Sequence, residues 1–177
     1  MAASSDPVRA DLEWIARDYS AILKAARPEE LDLPTSGTAW TNRQLLFHML
    51  LGQRVTRMVI VVMGVFSRLP SGASRAWAAG MAAVTPLYHR LNWLGGVVGG
   101  RLFSVARMGR QMEAVTAEIL RFYDHASPGG LGRGMTIPPS WDPYFSTWMD
   151  RAQLMMWAPM HYQHHRRQLT LTTLPPL

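Results

Sequence analysis

The sequence predicts an all-α fold, a four-helix bundle with an additional helical insertion, and three observations carry that prediction. Apolar residues recur in alternating steps of four and three, as one face of a helix requires. N-cap signatures precede several of these stretches, and the alternating pattern of a strand is nearly absent. The 177 residues also suit a single domain, 1–177, that buries its own core. A hydrophobic fraction of 48%, with 12 Met and 7 Trp, supplies large and adaptable side chains for that core.

The first helix opens with Asp6 as N-cap and Pro7 at its first position, and Val8, Leu12, Ile15, Tyr19, Ile22 and Ala26 form its apolar face. Residues 27–37, with two prolines and several acids, read as a loop. Thr41-Asn42-Arg43-Gln44 has the form of a capping box, and Trp40 is placed to staple onto Leu45, so a second helix starts here and runs to about Phe66. Leu45, His48, Gly52, Val55, Val59 and Val62 share one stripe of it, which turns His48 inward.

From Leu69 to Gly100 the signal weakens. An Ala-rich helix from about Ala73, then Pro86, then a glycine-rich run to Gly100 read as helical packing with a break. A helix from about Arg107 to His125 carries Met108, Met112, Val115, Ile119 and Phe122 on one face, and the Pro- and Gly-rich stretch Ser127 to Ser140 interrupts it. The last helix is expected to start at Asp142-Pro143, again an N-cap followed by proline, and to continue to about Leu169. Pro159 inside it implies a kink or a second start.

Composition excludes several classes of function. The absence of cysteine removes disulfides, cysteine-based zinc sites and a protein thiol nucleophile, so any metal must rest on histidine or carboxylate. Met1 to Pro7 lacks the basic and apolar regions of a signal peptide, and Arg54, Arg57, Arg68 and Arg101 break the apolar stretches, so the expected location is cytoplasmic with no transmembrane segment. The charge of +6 comes almost wholly from arginine, since Lys24 is the only lysine. These arginines are spread along the chain without a nucleic-acid signature, and no nucleic-acid partner is expected. Gly95-Gly96-Val97-Val98-Gly99-Gly100 matches neither phosphate-binding fingerprint, and no strand precedes it.

The residues that carry chemistry are histidines. His161 and His165 are four apart on a helix, which puts both rings on one face a turn apart and suits chelation. His48, on the apolar stripe of the second helix, is the natural third ligand, and three neutral imidazoles would leave a coordination position open. A surface pair and a hydrogen-bonded core histidine are the plainer alternative, and His164, three from His161, could replace His165. Gln168 lies one turn beyond His165 and Gln44 one turn before His48, where either amide could orient a ligand. Gln44 already has a capping role. Arg166 and Arg167 could attract a carboxylate or answer the helix dipole. His89 and His125 have no partner at useful spacing. No acidic residue stands out as a base.

Two patches resemble the DinB-like superfamily of metal-binding four-helix bundles, which includes thiol-dependent transferases and relatives of mycothiol-dependent maleylpyruvate isomerase. Trp40-Thr41-Asn42-Arg43-Gln44-Leu45-Leu46-Phe47-His48 is similar to the family's second-helix pattern, and His161-Tyr162-Gln163-His164-His165-Arg166-Arg167-Gln168-Leu169 to its closing H-x-x-x-H-R-G-Q-[IL] pattern. The resemblance implies a DinB-like bundle with His48, His161 and His165 as metal ligands, and it prefers His165 to His164 because Arg166 and Gln168 fix the register. Arg167 departs from the family's usual glycine.

The function expected from this resemblance is transfer of a low-molecular-weight thiol, mycothiol-like, activated on zinc or nickel, to a small-molecule substrate. Homodimers are common in the family, and one is expected here. Metal-dependent hydrolysis and non-catalytic binding of a ligand or partner are the alternatives. The apolar Met58 to Phe66 segment and the stretch near Val97 could also form a patch for peripheral membrane contact, although burial in the bundle explains them more simply.

Overall fold

The computed structural model describes residues 6–174 and 176. The reading of the first five residues as lacking a leader therefore falls outside them. Helix α1 spans Pro7–Ala25, α2 Asn42–Phe66, α3 Ser71–Ala83, α4 Thr85–Leu102, α5 Val105–His125, α6 Pro128–Leu131 and α7 Arg151–Arg166. Two three-residue strands, β1 (Gly134–Thr136) and β2 (Trp148–Asp150), pair antiparallel with Met135 opposite Met149.

Helices α1, α2, α5 and α7 form the bundle. Each of α1 and α2 packs against both α5 and α7, and α3 and α4 make the inserted pair, with α4 lying along the outer side of α2. The caps act as their residue types require: Asp6 accepts from the Val8 amide at 3.1 Å, and Thr41 and Gln44 complete a reciprocal capping box. Leu12, Ile15, Tyr19 and Ile22 of α1 meet Met108, Met112 and Ile119 of α5 and Leu46, Met49 and Met63 of α2 in one continuous core. The Tyr19 hydroxyl is satisfied there by the Leu46 carbonyl at 2.8 Å. By length and composition α2 could cross a membrane, yet 13 of its 25 residues are buried in the bundle.

The glycine-rich run is the surface on which α4 meets α2. A Cβ at Gly99 would fall within the Phe47 ring, and one at Gly100 would come within 2.9 Å of the Gln44 Cα. Close approach of two helices explains these glycines; the expected break falls before them, at Val84 between α3 and α4, with Pro86 in the first turn of α4. Each glycine costs a helix interior about 1 kcal/mol relative to alanine, which close packing must offset.

The last helix departs from expectation at both ends. It begins at Arg151, not Asp142, and ends at Arg166. The working N-cap is Asp150, which forms a capping box with Gln153. Asp142 instead accepts the Tyr144 amide at 2.8 Å in a local turn, and the chain runs extended through β2 before the helix starts. An Asp-Pro pair suits a turn as well as a cap, and pairing with β1 decides between them. The helix passes through Pro159 without interruption.

The C-terminal tail is fastened to the α1–α2 connection. Buried Asn42 donates to the Glu30 carbonyl at 2.8 Å and to the Thr170 hydroxyl at 2.9 Å, and accepts the Thr170 amide at 3.0 Å. The Ser36 amide donates to the Gln168 carbonyl at 2.9 Å. These bonds hold the end of α7 over the start of α2, where the histidines lie.

Candidate metal centre

His48 projects from the second turn of α2, and His161 and His165 project from adjacent turns of α7. Their ligand-capable nitrogens, one per ring, lie within 4.8 Å of one another. The His48 and His165 Nε2 atoms are 3.2 Å apart. A tetrahedral zinc with nitrogens at about 2.0–2.1 Å sets them roughly 3.3–3.4 Å apart, so this pair already spans one edge of such a polyhedron.

Each ring is held from its far side. The His165 Nδ1–H donates to Gln168 Oε1 at 2.8 Å, which leaves the Nε2 lone pair facing His48. The Gln168 amide nitrogen is 3.4 Å from His164 Nε2, and His164 Nδ1 is 3.2 Å from the Tyr144 hydroxyl. This chain of contacts turns His164 away from the cluster. The alternative ligand is thereby occupied elsewhere. Trp40 stacks on His48 with ring centroids 4.5 Å apart, its Nε1–H held by the Trp93 carbonyl. Trp157 lies against His161 at 4.6 Å, its Nε1–H donating to Asp142 Oδ1 at 3.0 Å.

Burial keeps the imidazoles neutral. It pushes His48 down to about 3, with His165 adding to the effect, and drives His161 well below the ordinary histidine value, helped by the neighbouring rings. His165 is lowered by burial as well, opposed in part by its bond to Gln168. Neutral imidazoles present lone pairs, which is the state a metal ligand needs. His48 Nδ1 is buried with no hydrogen-bond partner among the described residues, while its Nε2 faces His165 Nε2.

Four contributors went unrecognised in the sequence. Gly52, one turn beyond His48, admits the His161 ring: a Cβ there would come within 2.8 Å of its Cε1 and Nδ1 atoms. Asp142 sets Oδ2 3.9 Å from His161 Nε2 and supplies a carboxylate where none was expected. Trp157 and Tyr144 complete the surround. The position of Gly52 on the His48 stripe was the only signal among them, because Asp142 was already explained as a cap.

Other expected residues have different duties. Gln44 Oε1 accepts the Thr41 amide in the cap at 3.1 Å, while Gln168 meets His165 directly. Arg166, in the last turn of α7, is buried in a two-pronged ion pair with Asp18 at 2.7 and 3.0 Å. Arg167 is exposed at the C-cap.

The histidines form part of the wall of a cavity of about 530 Å³. Val55, Val59 and Val62 of α2, Trp77 and Met81 of α3, and Tyr88 and Asn92 of α4 line it, as do Met135, Ile137 and the run from Trp141 to Phe145. Most of the expected inward stripe of α2 thus faces this cavity. Tyr88 and Trp141 stack in parallel at 4.1 Å, and Trp141 Nε1 is buried without a partner among the described residues.

Fold and site together define a helical-bundle protein with a three-histidine cluster opening onto a largely apolar cavity. The family model described as DinB superfamily matches residues 11–169, and the chain belongs to that superfamily. Comparisons with curated proteins and with solved structures returned no match.

Proposed function

We propose that His48, His161 and His165 hold a divalent metal, zinc or nickel, and that the protein transfers a low-molecular-weight thiol of the mycothiol kind to an electrophile in the cavity. The observation that carries this reading is the convergence of three neutral imidazoles at the cavity wall. When bound, the ion would supply acidity, deprotonating a coordinated thiol at neutral pH. The chain has no cysteine, so the thiol must come from outside.

The protein's own groups divide the remaining work. Gln168 fixes the His165 tautomer, and Trp40 and Trp157 fix the planes of the other two rings. Asp142 Oδ2 is placed to accept the proton that the thiol would lose on binding; the sulfur would then add to an electrophilic carbon–carbon double bond, whose π pair moves to the far atom and takes that proton back from the Asp142 carboxyl. The valine and tryptophan walls accept an apolar body, and Trp141 Nε1 offers a donor to an acceptor atom on it. The same carboxylate would equally serve a water molecule, which keeps metal-dependent hydrolysis as the second reading. A cytoplasmic location, where such thiols are abundant, is part of the proposal.

Protein purified without a histidine tag should contain one equivalent of metal, lost in both His48→Ala and His161→Ala. Metal-free wild-type protein that also fails to take up zinc or nickel would sink the reading. In a cobalt-substituted form, added thiol should shift the visible spectrum. Turnover of an electrophile without thiol would instead select hydrolysis.

A further inference from the structure

We propose that the outer face of α4, with the exposed edge of α2 beside it, docks the protein onto an anionic lipid surface. All 12 acidic residues lie at or before Asp32 or at or after Glu113. Residues 33–112, which build α2, α3, α4 and the first turns of α5, therefore contain no carboxylate side chain, yet they hold nine arginines, of which Arg107 and Arg110 lie on α5. Arg43 and Arg57 pair with Asp32 and Glu118 from outside this stretch, and the remaining arginines give it a net positive charge.

The apolar component lies on the same elements. Leu87, Leu91, Leu94, Val98 and Leu102 follow steps of four, three, four and four along α4 and are 43–69% exposed. At 3.6 residues per turn they form a single stripe five residues long. The opposite side, through Gly96, Gly99 and Gly100, is already spent against α2. Val61 and Val65 on α2 are half exposed as well. Aliphatic residues in such a row are not the scattered exposure of an ordinary surface.

Charge selects the occupant. Arg90 and Arg101, three turns apart, fall on the same edge of the α4 stripe, and neither forms an ion pair among the described residues. A second copy docked through this face would bring arginines against arginines with no carboxylate to answer them. A bilayer with anionic headgroups meets both demands: the aliphatic row enters the interface while the arginines reach phosphates at its rim. The helix would lie in the membrane plane, with the bundle outside it.

Flotation of the full chain, without a tag, tests this with vesicles of phosphatidylcholine alone or mixed equally with phosphatidylglycerol. The protein should float with the mixed vesicles only, and high salt should release it. Arg90→Ser combined with Arg101→Ser should weaken partitioning roughly 25-fold, at about five-fold for each arginine. Leu91→Glu combined with Leu94→Glu should abolish flotation while circular dichroism stays unchanged, and the arginine pair keeps the test decisive if these variants fail to fold. Flotation equal on neutral vesicles, or none on either, would overturn the proposal. So would a dimer dissociated by the glutamate variants, since a second copy would then cover the face.

Discussion

At Gly52 the α2 backbone passes so close to the His161 ring that no side chain fits between them, and the geometry of the centre depends on that contact. Gly52→Ala should force the ring away from His48 and His165, since His161 is buried and backed by Trp157. The expected cost is about 1–3 kcal/mol of stability from overpacking. Loss of metal affinity should exceed what that destabilisation explains, by about 10–100-fold, the usual scale for disturbing a ligand's support. Chelator competition beside thermal melting separates the two effects, and unchanged affinity would contradict the role given to Gly52. His48 and the pair His161 and His165 are legible in the sequence because helical spacing places them on defined faces. Gly52 is not, because nothing local says which ring will approach it.

The orientation of α7 rests on two neighbouring rows of side chains. His161 and His165 turn toward α2, while Tyr162 and Arg166, each one residue further on, turn toward Asp18 of α1. Asp18 accepts the Tyr162 hydroxyl at 2.9 Å as well as the Arg166 guanidinium, and that pairing raises the guanidinium above its ordinary value. A buried pair of this kind is weak evidence for net stability, but removing one partner is expensive. Asp18→Ala should cost about 3–5 kcal/mol, seen as a fall in Tm of roughly 2–4 °C for each kcal/mol. Metal content should fall with it as α7 loses its rotational setting. Wild-type stability in this variant would show that packing alone orients the helix. From the sequence, Arg166 at a helix C-terminus had a sufficient local explanation, and the partner 148 residues away was invisible.

For the whole molecule, the buried histidines couple stability to pH. An unfolded imidazole takes up its proton near pH 6.5, whereas His48 in the folded protein resists until about pH 3. Between those values the unfolded chain binds more protons, so the metal-free protein should lose stability as pH falls from about 6.5 toward 3. Above about 6.5 this contribution is fully present. His161 and His165 shift in the same direction and steepen the slope. Denaturant titrations of metal-free wild type and His48→Phe should give a shallower pH dependence for the variant, and parallel curves would argue against burial as the cause. The inserted α3–α4 pair belongs to this scale too. It closes the cavity over the histidines and leaves its own outer row exposed, a division that periodicity cannot reveal.

The amino-acid sequence determined the helices, most of their caps and the turn spacing that lines up His161 with His165, because backbone hydrogen bonding and side-chain period act within a few residues. Tertiary structure alone decided which surfaces meet. Pairing with β1 moved the start of α7 and set Asp142 beside His161, glycines drew α4 onto α2, and Asp18 reached Arg166 across the bundle. Those outcomes depend on contacts between residues far apart in the chain, and such contacts form only when the whole core packs at once.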